Sequence, residues 1–521
     1  MWLDYLTLVL YIMAMVFIAF YTKNRSKSVN DFLLAGKKGL NGWMSAFSYG
    51  TTYFSAVIFI GYAGKFGWGY GLASVWIGIG NALFGGLLAW LILAKRTKNM
   101  TRRLSVKTMP EFFEKRYESK FLRIISAVVI FVFLIPYSAS VYNGLGNLFE
   151  IMLGIDGTLV VLILAVVTAL YLVFGGYFAT SLSDFVQGII MLVGVILMVI
   201  FFVVSPNFTT EINGVSGIDR LVYSGFGFFE GFGDKGFLNS PLVMLVALIL
   251  LTSFGVYGLP QTVHKYYSVR DKKAIKQGMI VTTIFALIVG CSAYFIGGLG
   301  RLFFDSTTEF SNVTDNIIPI MLSKVMPMGL LGLVGVLVLS ASMSTLASVS
   351  LSSASVVSVD LYKGAINKDA SDKKVTLIMR VMCSIFVLIS VVIAMLNKIY
   401  NITAIAYLMS LSWGTLSGCF FGPFVVGLYS KKITKTASII SVISGIVLTL
   451  VLTILFGILN SPSGSNFGVI LQNGVALSPI TGVICMIFSV VITIVVSLFT
   501  KKPSENAINE AFNKDIEDLI V

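Results

Sequence analysis

Residues 48–64 read SYGTTYFSAVIFIGYAG, and residues 251–261 read LTSFGVYGLPQ. Each interrupts a stretch otherwise apolar enough to cross a bilayer. In the first, the run from Ser48 to Ser55 is too hydrophilic to face lipid. In the second, Pro260 removes a backbone donor while Gly255 and Gly258 relax the chain. Unwound backbone at mid-membrane survives only where it is buried in protein or lines a site. Glycine and proline also occur in ordinary transmembrane helices, so the weight rests on the pairing of the two breaks.

The rest of the chain is that of a membrane protein: 57% of its 521 residues are hydrophobic and 12% charged, with a mean hydropathy of +0.92. About twenty apolar residues cross a core of about 30 Å at about 1.5 Å per residue. Thirteen such spans are predicted, near 3–21, 41–62, 72–94, 122–148, 157–174, 181–204, 241–262, 278–299, 327–358, 377–396, 401–428, 436–457 and 478–499. The breaks fall in the second and the seventh, five spans apart. The expectation is an all-α integral membrane protein with a five-plus-five inverted repeat, 41–204 and 241–428, one extra helix before it and two after. Residues 1–500 then form one polytopic domain and 501–521 a short cytoplasmic tail.

Basic residues orient the spans. With the N-terminus outside, the loop carrying Lys23, Arg25, Lys27, Lys37 and Lys38 is cytoplasmic, and 31 of the 37 Lys and Arg fall on that side. The others are Lys65, Arg220, Lys235, Arg301, Lys324 and Lys398. The expectation is a multi-pass cell-membrane protein with its N-terminus outside and its C-terminus in the cytoplasm. A formal charge of +13 is thereby topogenic, facing anionic lipid rather than nucleic acid. The first apolar segment lacks a basic leader and a small-residue cleavage site, so it reads as a retained helix.

Enzymatic chemistry finds little support. His264, the one histidine, stands beside Lys265 at a cytoplasmic helix end, and Cys291, Cys383, Cys419 and Cys485 all lie within predicted spans, where packing accounts for them. Neither a phosphate-binding loop nor a nucleophile motif is present, and GIGNALFGG (78–86) reads as close helix packing. Sequons at Asn207 and Asn312 fall in predicted external loops.

Two places carry polar chemistry instead. Asp184 stands in the sixth span with Thr180, Ser181 and Gln187 on its helical face. A carboxylate at mid-bilayer costs roughly 2.5–3.5 kcal/mol. It either reaches interfacial water at the cytoplasmic end or serves a cation or coupling role. In the ninth span, VLSASMSTLASVSLSSASVVSVDLY (338–362), Ala341, Ser344 and Thr345 are spaced i, i+3, i+4. Two hydroxyls and a carbonyl can converge there on a hard alkali cation, or the small residues can serve tight helix packing.

Together, YGTTYFSA (49–56), GGYFATSLSDFVQG (175–188), FGVYGLPQ (254–261), MSTLAS (343–348) with DLY (360–362), and SLSWGTLSGCFFGPFVVGLY (410–429) resemble the sodium:solute symporter family along nearly the whole chain. The resemblance implies a LeuT-like fold and sodium as the coupling ion, with no other cofactor. It also implies a sodium site made by backbone oxygens of Thr51, Phe54 and Ala341 and the hydroxyls of Ser344 and Thr345. Asp184 matches an acid beside that site, where some members hold a second cation, which leaves one or two sodium ions per cycle open.

The pattern is most similar to sodium/pantothenate symporters, through TYFSAVIFIG (52–61), FGVYGLP (254–260) and GGLGR (297–301), and more distantly to sodium/proline symporters. Ile58 stands where sugar carriers have a glutamine. Tyr53, Val57, Thr252 and Val256 depart from the proline pattern, although Tyr137 keeps it. A solute pocket is expected among Tyr53, Ser55, Tyr137, Asn143, Thr252, Tyr257 and Trp413, with no Lys or Arg in the core segments. The solute is then a small organic acid such as pantothenate, or else proline, another amino acid or a monocarboxylate. A sodium channel or a solute sensor would be the readings from other classes.

Overall fold

The computed structural model describes residues 2–22, 28–34, 39–212, 214–229, 240–311, 313–327, 329–400 and 402–512. The basic loop from Lys23 to Lys27, Lys37, Lys38, Lys235, the Asn312 sequon and the tail beyond Phe512 lie outside these. Among the described residues there are helices and two isolated β-bridges but no strand. Among the described residues ten helical runs are long and apolar enough to cross a membrane, and a bent pair adds an eleventh.

The runs are α1 (Trp2–Thr22), the broken helix α2 (Gly42–Tyr53) with its continuation α3 (Val57–Arg103), α5 (Lys120–Leu153) and α6 (Gly157–Val203), with the short helix α4 (Met109–Tyr117) before α5. The bent pair follows as α7 (Pro241–Tyr257) and α8 (Pro260–Tyr267), at 43°. Then come α9 (Lys272–Phe303), α10 (Leu331–Ile366), α11 (Asp372–Tyr400), α12 (Ile405–Tyr429), α13 (Lys435–Asn460) and α14 (Ser478–Phe499). A short helix, α15 (Glu505–Phe512), ends the described chain.

Two runs differ from the predicted spans in how they turn. α3 and α6 are each 47 residues, roughly 70 Å at the helical rise and more than twice a bilayer core. Within α3, Gly71 adopts φ 57°, ψ −136°, and within α6, Gly176 adopts φ 63°, ψ −172°. Both conformations are open to glycine and strained for other residues, so a single residue replaces the loops expected at these points.

Helix starts are set by local capping. Asn41 accepts from Met44 N at 2.9 Å ahead of α2, and Thr108 accepts from Glu111 N at 3.2 Å ahead of α4. Asp156 accepts from Thr158 and Leu159 N ahead of α6, and those N–H groups hold its carboxyl below the usual range. Cys383, Cys419 and Cys485 are buried, and all four cysteines are free.

α10 is almost wholly buried, whereas α1, α13 and α14 present long apolar faces outward, among them Phe17, Leu450 and Ile487. The hydroxyl-rich helix therefore forms the protein interior, and the uniformly apolar ones form its lipid-facing rim. Leu40 N donates to Ser268 O and Arg270 N to Leu40 O, which ties the start of α2 to the end of α8. At the same end Asp360 of α10 receives Arg123 Nε at 2.7 Å and Thr108 Oγ1 at 2.9 Å.

The continuation of the broken helix, α3, packs on α9 backbone to backbone, at Gly67 and Gly297. A Cβ on Gly297 would be driven into the carbonyl of Ala63, whereas Gly69 faces open space. Gly297→Ala should lower the thermal stability of the detergent-purified protein, by about 1–3 kcal/mol as for other overpacked sites. Gly69→Ala should leave it unchanged.

Candidate cation and solute site

α2 ends at Tyr53, where Phe54 turns extended (φ −107°, ψ 117°), and the helix resumes at Val57. Carbonyls in the last turn of a helix lose their intrahelical donors and carry the negative end of its dipole. Here they meet α10. Ser344 Oγ donates to Thr51 O at 2.8 Å and lies 3.2 Å from Ala341 O. Thr345 Oγ1 lies 3.1 Å from Ala341 O and 3.3 Å from both Thr51 O and Thr52 O. Across the break, Ala56 N donates to Ser342 Oγ at 3.2 Å.

Four of the five expected cation residues, Thr51, Ala341, Ser344 and Thr345, thus come together. The Thr52 carbonyl joins them, which the sequence reading missed although Thr52 sits in the same helix end. Phe54 is placed at the break by its ring, against Tyr53 and Phe285 at centroid distances of 4.7 and 6.2 Å.

The expected solute residues divide. Tyr53 stacks on Trp413 at 6.1 Å, and Tyr137 meets the same indole edge-on at 5.7 Å. Tyr53 OH donates to Thr252 O at 2.7 Å, and Ser55 Oγ accepts from Val57 N at 3.3 Å. The Tyr137 hydroxyl and the Trp413 N–H are buried without a hydrogen-bond partner. These five residues form one aromatic and hydroxyl cluster next to the oxygen group. Tyr257 lies to one side, stacked on Phe421 and donating to Phe84 O at 2.8 Å. Asn143 instead lines a polar cavity of about 390 Å³, together with Asp315, Asn397 and Thr403. Asp315 is buried and accepts from Ile405 N at 3.1 Å, and burial holds its carboxyl above the usual range.

Asp184 is 0% exposed, buried within the protein rather than at an aqueous edge. Its helical neighbours are buried too, and Gln187 Nε2 donates to Tyr11 OH of α1 at 2.9 Å, so the polar stripe faces the interior. Ser48 Oγ donates to Asp184 Oδ2 at 2.5 Å. Lys265 Nζ lies 3.4 Å from the same oxygen and 2.9 Å from both Ser48 Oγ and Ser348 Oγ. The sequence reading left Lys265 among topogenic charges at a helix end and expected no basic residue in the core. In the structure it is 2% exposed, because α8 continues to Tyr267 and carries it inward.

The chain matches the sodium:solute symporter family over residues 32–445. The chain belongs to that family. It is 28% identical to the osmoregulated proline transporter OpuE of Bacillus subtilis, over 96% of this chain and 95% of that one. It is 27% identical to the sodium/pantothenate symporter of Haemophilus influenzae, over 81% of this chain and 84% of that one. In fold it resembles a Na+-coupled sialic acid symporter solved in a substrate-bound outward-open state. The TM-score is 0.74 at 17% identity, covering 96% of this chain and 99% of that one. As a sodium:solute symporter it is a transporter rather than an enzyme.

Removing one partner of a buried ion pair leaves an uncompensated charge and costs about 3–5 kcal/mol. In sodium-free buffer, Lys265→Met should lower the free energy of unfolding by an amount of that order, read from denaturant unfolding of the detergent-purified protein. Lys265→Met with Asp184→Asn should recover most of the loss.

Proposed function

We propose that this symporter imports a small organic carboxylate, pantothenate being the solute its sequence pattern favours, driven by sodium entering through the site at the α2 break. The observation that carries the proposal is the convergence of three carbonyl and two hydroxyl oxygens from Thr51, Thr52, Ala341, Ser344 and Thr345 on one point. Hard cations take such oxygen sets. A sodium ion there replaces the hydroxyl-to-carbonyl hydrogen bonds and joins α2 to α10. That sets Tyr53 and Ser55, at the same break, against Tyr137 and Trp413. Solute then sits between the aromatic rings, and closure on one side precedes release on the other.

Thirteen crossings follow if the 47-residue runs each turn back, at Gly71 and Gly176, and the bent pair counts as one span. Two five-helix repeats then begin with the broken helices, inverted relative to each other. The distribution of basic charge supports an external N-terminus in the cell membrane. The cavity at Asn143 and Asp315 then opens on the external side and serves as the entry path.

Proline is the second reading, favoured by the relative from Bacillus subtilis that matches 96% of this chain. Uptake of labelled pantothenate, proline and a short monocarboxylate into proteoliposomes, with and without an inward sodium gradient, separates them. Sodium-driven pantothenate accumulation supports the proposal, and sodium-driven uptake of another solute redirects it. Sodium leak without solute would make the chain a channel, and binding without uptake a sensor.

Sodium and solute stabilise one another's binding by the same free energy. Ser344→Ala with Thr345→Ala should therefore raise the half-saturating sodium concentration about tenfold or more, since each lost oxygen contact is worth about 1 kcal/mol. Unchanged sodium dependence in this variant would reject the site.

A further inference from the structure

Lys265 sets an ammonium group among buried oxygens beside the candidate sodium site. Its ammonium is held by oxygens from three other helices: Ser48 of α2, Ser348 of α10 and Asp184 of α6. This is an oxygen cage around a positive charge rather than a simple ion pair. Through Ser348 the cage adjoins the candidate sodium oxygens. Ser348 Oγ lies 2.9 Å from Thr52 Oγ1, and the Thr52 carbonyl lies 3.3 Å from Thr345 Oγ1. One run of side chains thus links the ammonium to the sodium ligands.

We propose that Lys265 is a tethered cation that takes the place of a second sodium ion, so that the chain couples one sodium ion to each solute. The proposal rests on the sodium-symporter reading and sets its stoichiometry. An ammonium donates to oxygen at about 2.9 Å, so the two serines and the carboxylate are used as a metal ion would use them. A free cation entering beside Asp184 meets a like charge already in place. Because the lysine is covalently held, Asp184 is neutralised throughout the cycle, and this position moves no charge across the membrane. Truncating the side chain removes the tethered charge. The space freed joins an adjoining cavity of about 10 Å³ beside Tyr177, Gln261 and Ser352, enough for about one water. Asp184, Ser48 and Ser348 are then left as oxygen ligands for a mobile ion.

Equilibrium binding of radioactive sodium to the purified, detergent-solubilised chain counts sites without needing the solute. Wild type should bind one sodium ion per chain. Lys265→Ala should bind two, and Lys265→Ala with Asp184→Asn should return to one. Lys265→Gln, which keeps side-chain bulk, guards against a misfolded alanine variant and should bind a second ion more weakly than Lys265→Ala. Two ions on the wild-type chain, or one on folded Lys265→Ala, would overturn the tethered-cation role while leaving the sodium site standing. No ion on wild type would overturn the sodium site itself.

Discussion

A backbone carbonyl freed inside a membrane has to find a partner, and this requirement organises the centre of the molecule. Ending α2 at Tyr53 strips the Thr51 and Thr52 carbonyls of their helical donors in a region without bulk water. The donors that reach them are the Ser344 and Thr345 hydroxyls. For that to happen a helix rich in serine must lie against the break, buried from lipid on all sides. The surrounding helices, apolar on their outer faces, supply that burial. The same hydroxyls that satisfy the carbonyls can turn lone pairs toward a cation. The unwound segment is therefore a structural cost and, in the proposed function, the coordination site as well.

Next to it lies a second polar centre with the opposite character. The carbonyl and hydroxyl group at the α2 break is uncharged. The Asp184 site is charged, and the chain itself supplies the compensating charge from Lys265. Both centres draw on α2 and α10, so movement of either helix is felt at each. A buried ion pair is weak evidence for stability in itself. Its meaning here lies in its position, linked through Ser348 and Thr52 to the neutral site.

Much of this was legible in the chain. Proline and glycine in an apolar stretch, and hydroxyls at i, i+3, i+4, report local chemistry that a sequence displays directly. The breaks within 48–55 and 255–260 and the grouping of Ala341, Ser344 and Thr345 followed from it, whereas Thr51 was joined to them only through the family resemblance. Side-chain partners distant in the chain were not legible. Asp184 and Lys265 are 81 residues apart, and nothing local distinguishes a lysine that turns inward from its neighbours at a cytoplasmic helix end. Phe54 and Thr52 differ by half a turn of helix, so only the backbone geometry decides which carbonyl points at α10. Gly71 and Gly176, each with positive φ, stand where loops were expected, because a single glycine can break the helical path without a polar linker. Asn143 was assigned to the solute cluster with the resemblance, and the structure sets it farther along α5, on the cavity with Asp315.

The central claim is that sodium fastens the broken segment of α2 to α10. Backbone hydrogen exchange over residues 51–57, compared in sodium chloride and choline chloride, tests it directly. The account predicts slower exchange in sodium for the wild-type chain and no difference between the salts for Ser344→Ala with Thr345→Ala. Equal exchange of the wild-type segment in both salts would contradict it.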